Sequence, residues 1–340
     1  LYSKEIEIRV ESDPDVREYI QKVKIEKEII NLPENFKKIR RYLQNSLKSK
    51  LDTIKTQGII SISPNPSKTE VLRFQAKLQG EIAKGVKDYN TFRSISLLAE
   101  ILKISHAIDL LETQGIDPTY SYLESIFKDS KNKKTKAIKN LVIDLNFKSA
   151  YILTERLKNK KIKHPKQERL KEIIKESIEK DPDVKIIVFN HYKNSVKELE
   201  KEINKIKKIK AKLFVGQSKK GGISLRQKEQ ISILEDFRNS IYNCLISTSI
   251  GEEGLDLPKV DLVIFYEPIP SAIRSIQRRG RTARHDKGKI VILVTKNTRD
   301  ESNFWSAYNK EKRMYSVLDQ VRKELTKQKQ PTLQSFVKKT

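Results

Sequence analysis

Five short runs made almost wholly of apolar side chains punctuate the second half of this 340-residue chain: KIIVFN (185–190), AKLFV (211–215), NCLIST (243–248), VDLVIFY (260–266) and KIVILVT (289–295). A strand that is apolar on both faces has to be covered on both faces, which is the situation of a parallel sheet packed between helices. The intervals supply those helices. Val196, Leu199, Ile203 and Ile206 fall on one helical stripe, LRQKEQISILEDF (225–237) carries another and SAIRSIQRR (271–279) a third. Strand and helix in alternation predict right-handed βαβ units on a parallel sheet, an α/β fold. A helix with Leu170, Ile173, Ile174 and Ile178 leads into the first strand, and one carrying Phe304, Tyr308, Val317, Val321 and Leu325 follows the last.

The first half follows a different period. From about Asn35 to about Lys160, apolar residues recur at three- and four-residue steps: Phe36, Ile39, Leu43, Leu47 and Leu51, then Val71, Phe74, Leu78 and Ile82, then Phe92, Ile95, Leu98, Leu102 and Ile108. ISPNPS (62–67) separates the first two helices. No strand-like run interrupts the block, so an all-α subdomain is expected. Its apolar stripes are core surfaces. Its solvent-facing lysines, above all in the basic segment KDSKNKKTKAIKN (128–140), are what remains for binding. Upstream, Ile6, Ile8 and Val10 alternate, SDPD (12–15) is a turn, and VKIEKEII (23–30) reads as a second extended segment.

Charge narrows the function. Lys and Arg number 70 against 44 Asp and Glu, a formal net charge of +26. An excess of this size favours a polyanionic partner, with nucleic acid first. Abundant Lys, Glu and Ile also suits a hot-growing organism, but there Glu should balance Lys, and here it does not. No apolar run approaches the roughly eighteen residues of a membrane span. The start, LYSKEIEIRV, lacks Met and an apolar signal region and reads as a trimmed front end. Cys244, the single cysteine, leaves no internal disulfide, and His106, His164, His191 and His285 lack ligand spacing, so no metal site is expected. A reducing, cytoplasmic setting follows.

The strongest chemical signal is SIQRRGRTARH (275–285). Gln277, Arg278, Arg281 and Arg284 sit at fixed offsets around Gly280, near the end of a helix. Buried and unpaired, such guanidinium groups are expensive. Exposed, they converge on a multivalent anion, and the planar fork of Arg suits phosphate oxygens. The segment resembles motif VI of superfamily 2 helicases, with Ala283 where that family usually has Gly. The resemblance implies that Arg281 and Arg284 are arginine fingers, that Gln277 reaches toward the γ-phosphate, and that Arg278 and Gly280 support them. STSIGEEGLDLP (247–258) follows a strand directly and resembles motif V. Thr248, Gly251 and Glu252 would then lie at the nucleic-acid backbone, with Gly254 and Asp256 toward the nucleotide. VFNHYKNSV (188–196) resembles motif IV, placing Asn190 and His191 at the DNA backbone. FVGQSKKGG (214–222) resembles the next such loop, with Gly216 and Gln217 near phosphate.

In this order, and with HPK (164–166) and YEPIPS (266–271), the motifs are similar to the Hef and FANCM branch of these helicases, tightly over 164–315 and loosely before. The resemblance implies a RecA-like parallel sheet flanked by helices with an all-α, thumb-like insertion. Four parts follow: a connecting segment (1–33) from a first motor domain that this sequence lacks, a helical insertion that recognises branched DNA (34–160), a second RecA-like domain (161–325) and a tail (326–340). The implied activity is that of an ATP-dependent DNA helicase on forked or branched DNA in repair of stalled replication forks, in an archaeal, nucleoid-associated setting. ATP and Mg²⁺ would be held mainly by the first RecA-like domain. The eleven glycines include no GxxxxGK[ST], and no Asp-Glu-Ala-His box is present, so residues 1–340 alone are expected to be inactive as an ATPase. In the tail, Gln330, Leu333, Phe336 and Val337 match the Q-x-x-L-x-x-F-hydrophobic pattern of peptides that bind the PCNA sliding clamp. Two other readings compete: an RNA-dependent superfamily 2 ATPase, and a non-catalytic branched-DNA adaptor held on the clamp.

Overall fold

The computed structural model describes residues 22–58, 60–85, 88–132, 135–216, 225–248, 258, 260–268 and 287–329. The chain forms two compact units: Ile30–Ile173 with Thr295–Arg299, and Leu1–Ile29 with Ile174–Val294 and Asp300–Thr340.

The first unit is helical. After strand β1 (Lys22–Ile30), α1 (Glu34–Gln57) starts at Pro33 and stops at Gly58, whose φ of +67° ends the helix in a left-handed turn. Phe36, Ile39, Leu43, Leu51 and Ile54 are its buried stripe; Leu47, expected among them, is only partly buried. α2 (Lys68–Ala83) is capped by Ser67, whose Oγ accepts from the Glu70 N–H at 3.1 Å. α3 (Tyr89–Thr113), α4 (Ile116–Asn132), α5 (Lys136–Ile143) and α6 (Leu145–Asn159) complete the bundle. α1 packs on α3 and α6, and α4 on α6, around Phe36, Ile104, Leu111, Leu123 and Phe147. The basic segment 128–140 is largely helical, split between the end of α4 and the start of α5. Phe92 departs from the apolar stripe expected on α3 and is half exposed.

The second unit holds the parallel sheet foreseen from the apolar runs. Its elements are β2 (Ile186–Phe189), α8 (Lys193–Ile203), β3 (Ala211–Phe214), α9 (Gln227–Arg238), β4 (Cys244–Ser247), β5 (Leu262–Phe265), β6 (Lys287–Thr295) and α10 (Arg299–Lys329); α7 (Pro165–Lys180) precedes β2. Strand order is β1-β6-β5-β2-β4-β3. β2 is parallel to both β4 and β5, with Phe189 opposite Ser247 and Phe265; β3 is parallel to β4 and β6 to β5. Every residue of IIVF, CLIS and LVIF is buried, as strands covered on both faces must be. Segment 23–30, which periodicity alone leaves without a partner, is the edge strand beside β6. Burial pushes the Cys244 thiol up to about 12, so it is an inert core residue.

Lys185, 3% exposed, locks the N-terminal edge of this sheet. Its Nζ donates to the carbonyls of Phe237 at 2.7 Å and Arg238 at 2.8 Å, at the negative end of α9. Lys185→Met leaves those buried carbonyls without their cation. It should cost about 2 kcal/mol of stability, read as a lower urea midpoint with an unchanged m-value.

A buried polar cluster ties the helical unit together. His164, 1% exposed, packs edge-on against Phe36; one ring nitrogen lies 3.0 Å from the Glu112 carbonyl and the other accepts from the Lys166 N–H at 3.1 Å. Burial, with the nearby Lys166 charge, lowers this imidazole to about 3. The Glu112 carboxyl accepts from the Arg299 N–H at 2.9 Å and lies 3.5 Å from Arg40; burial nonetheless raises it to about 7. The Arg299 guanidinium pairs with Asp109 at 2.6 Å. Gly115, with φ of +95°, has no room for a side chain: a Cβ there would lie 2.8 Å from that of His164.

Candidate functional site

The parallel strands β2, β3, β4 and β5 all end at one edge of the sheet, where the loops with chemical signals begin. From β2 the chain runs first to β3 and β4 on one side, then to β5 and β6 on the other. This makes β2 the topological switch point, and in open α/β sheets the crevice beyond such a point is where ligands bind.

Asn190 and His191 follow β2. Asn190 is fully buried: its N–H donates to the Ser247 carbonyl at 2.9 Å and its Oδ1 accepts from the Tyr192 N–H at 2.9 Å. Its side chain therefore shapes the loop. The outward group is His191, whose ring stands against Tyr192 and whose N–H donates to the carboxylate of Glu267, just past β5. Gly216 follows β3 and is buried in a loop that Gln230 of α9 holds by donating to the Val215 carbonyl at 3.0 Å. Thr248 follows β4 and is 1% exposed; its Oγ1 has no hydrogen-bond partner among the described residues. Ser195, in the first turn of α8, has a second buried hydroxyl without a partner among the described residues. An unpaired buried hydroxyl is costly, so two at one edge of a sheet suggest a polar ligand or solvent that satisfies them.

Asn190, His191, Gly216 and Thr248 thus share the C-terminal edge of the sheet. Gln217, Gly251, Glu252, Gly254, Asp256, Gln277, Arg278, Gly280, Arg281 and Arg284 lie outside the described residues, as do Gln330, Leu333, Phe336 and Val337. The segment bearing the arginines begins where β5 ends, at the same edge. Sequence reasoning missed Ser195 and Glu267. Glu267 was visible as a carboxylate two positions past an apolar strand; nothing marks Ser195 before the fold buries it. Among the described residues no cluster of His, Cys, Asp and Glu could hold a metal ion, and no helix is long and apolar enough to cross a membrane.

The second unit is thus a RecA-like parallel sheet with its loops at a switch point, and the first is a helical bundle. Residues 165–286 match the family profile of the helicase conserved C-terminal domain, and 35–163 match one described as "Putative ATP-dependent RNA helicase, helical bundle". The chain superposes on the crystal structure of the Pyrococcus furiosus Hef helicase domain with a TM-score of 0.75 at 42% identity, over 89% of this chain and 62% of that one. The chain is thus similar to the Hef helicase domain, with a RecA-like helicase C-terminal domain and a helical bundle. A Methanocaldococcus jannaschii protein named as an RNA helicase of the same description is 38% identical over 315 residues, 92% of this chain and 38% of that protein. The Neurospora crassa ATP-dependent DNA helicase mph1 is 30% identical over 327 residues, 93% of this chain and 28% of that protein. The chain therefore spans well under half the length of these two relatives.

Proposed function

We propose that this chain is the second motor domain and branched-DNA-reading insertion of an ATP-dependent DNA helicase that acts on forked DNA in replication-fork repair. The observation that supports the reading is that Asn190, His191, Gly216 and Thr248 follow parallel strands at one C-terminal sheet edge, where the buried Ser195 and Thr248 hydroxyls have no partner among the described residues. In this reading Arg281 and Arg284 face the γ-phosphate of ATP held by a first RecA-like domain, with Gln277 orienting beside them and Arg278, Gly280, Gly254 and Asp256 shaping the nucleotide wall. The donor set fits: guanidinium groups are the side chains that stabilise a transferring phosphoryl group from across a domain interface. ATP would supply the phosphoanhydride bond whose cleavage drives closure and reopening of the two motor domains, and Mg²⁺ would neutralise its phosphate charge. Asn190, His191, Gly216, Gln217, Thr248, Gly251 and Glu252 form the loops that hold one strand's backbone; for Asn190 that contribution comes through the loop its side chain braces.

Residues 1–340 alone should bind forked DNA in a strongly salt-dependent manner yet show no DNA-stimulated ATP hydrolysis, because the sequence has no phosphate-cradling P-loop. Substantial turnover by this chain alone would count against the two-domain site. The RNA reading draws support from the M. jannaschii relative, named as an RNA helicase. Competition between a DNA fork and duplex RNA of equal length separates the two: tighter RNA binding favours the second. We further propose that Gln330, Leu333, Phe336 and Val337 dock on the sliding clamp. A 326–340 peptide should bind PCNA and lose that binding on Phe336→Ala; no binding by either peptide refutes the tail assignment.

A further inference from the structure

α3 opens with two aromatic residues on one face, Tyr89 and Phe92, which stand in solvent at 64% and 50% exposure. Buried rings of this unit, Phe36 and Phe147, show no exposure at all, so hydrocarbon left in water at α3 is not for want of a core. α5 packs against α3. Its outward face carries Lys136, Lys139 and Ile143 at i, i+3 and i+7, all exposed. The Lys136 Nζ lies 5.1 Å from the centroid of the Tyr89 ring, which joins the aromatic end to the basic face. At the other end the corner between α5 and α6 leaves Ile143 and Leu145 at 75% and 79% exposure. The strip from Lys136 to Ile143 is about 10 Å long.

Acidic side chains near this strip are already engaged. Asp88 caps α3 by accepting from the N–H groups of Asn90 and Thr91. Asp144 caps α6 and pairs with Lys50 at 3.0 Å. Glu100 accepts from Asn140 at 2.7 Å, with Lys50 at 3.5 Å. Among the described residues no carboxylate pairs with Lys136 or Lys139. The strip therefore presents ring faces and unneutralised cations together, the combination that takes bases by stacking and phosphates by charge.

We propose that this strip of the helical unit binds a single-stranded stretch of nucleic acid, with bases on Tyr89 and Phe92, phosphates on Lys136 and Lys139, and the Ile143–Leu145 corner against the last base. The proposal rests on the nucleic-acid reading above. The test uses the 340-residue chain and labelled oligothymidylate, oligouridylate and blunt duplex DNA in anisotropy titrations. Tyr89→Ala/Phe92→Ala should weaken single-strand binding about tenfold or more, the loss of one to two stacked bases, and leave the duplex unaffected. Lys136→Gln/Lys139→Gln should make the slope of log K against log salt shallower by roughly 1.4 on single strands. The lysine pair decides the matter if the aromatic pair does not fold. Unchanged single-strand affinity and salt slope overturn the proposal and leave the helicase assignment standing; a wild-type chain that binds no nucleic acid overturns both. Aromatic substitutions that change the sedimentation coefficient but not oligonucleotide affinity assign the strip to self-association and overturn it as well. The thymidylate and uridylate arms identify which nucleic acid the strip prefers.

Discussion

Arg284→Ala, placed in a polypeptide that joins this chain to a P-loop-bearing first motor domain, is expected to lower DNA-stimulated ATP turnover by roughly 10³-fold or more, and Arg281→Ala by a comparable factor. In phosphoryl transfer, negative charge spreads over the equatorial oxygens as the bond loosens. A guanidinium group held against them acts mainly in the transition state. The loss should therefore fall on kcat, with DNA affinity and the KM for ATP changed far less. Arg→Lys should not rescue, because an ammonium group cannot span two phosphate oxygens. A general fall in DNA binding with kcat preserved would make these arginines part of a basic nucleic-acid patch instead and would sink the finger assignment.

The second large effect is a pH dependence hidden by cancellation. His164 is held near 3 in the folded chain against an ordinary 6.5, so the unfolded chain binds an extra proton between those values. Stability from this group is complete above pH 6.5 and falls as pH drops, by about 1.4 kcal/mol per pH unit. Glu112 works in the opposite sense. Its folded value near 7 lies above the ordinary 4.5, so the folded chain binds the extra proton and stability rises as pH falls from 7 to 4.5. From 4.5 to 6.5 the two slopes oppose each other, and wild-type stability should be nearly flat there. Glu112→Gln keeps an acceptor for the Arg299 N–H and removes the titration. The variant should lose about 3 kcal/mol between pH 6.5 and 4.5, read from urea midpoints followed by helix circular dichroism. A variant as flat as the wild type would mean that His164 is not held neutral.

Much of the architecture was legible in advance, because burial on two faces writes itself into a strand as an unbroken apolar run. IIVF, CLIS and LVIF announced central parallel strands, and their burial is complete. The stripe Phe36, Ile39 and Leu43 announced a core helix in the same way. The candidate edge leaves a different signal in the sequence: turns beside a phosphate need glycine, and binding one needs arginine, so both are expected at fixed spacings. Asn190 shows the limit of that reasoning. An amide after a strand can reach outward or turn back to cap its own loop, and periodicity does not distinguish the two; here it is fully buried and bonds to the Tyr192 N–H.

By itself the sequence determined most of the buried stripes and the order of strands and helices along the chain, because those depend on side-chain hydrophobicity and on periods of 2 and 3.6. It could not determine which strands lie side by side, since that depends on crossovers between residues far apart. Only the tertiary structure put β2 between β4 and β5, gave β1 its partner in β6, brought Glu112 to Arg299 and His164, and left Phe92 in solvent beside Tyr89. Local pattern measures a residue's own transfer free energy; whether a buried carboxylate meets an arginine, or an aromatic ring meets nothing, is decided by packing between distant segments.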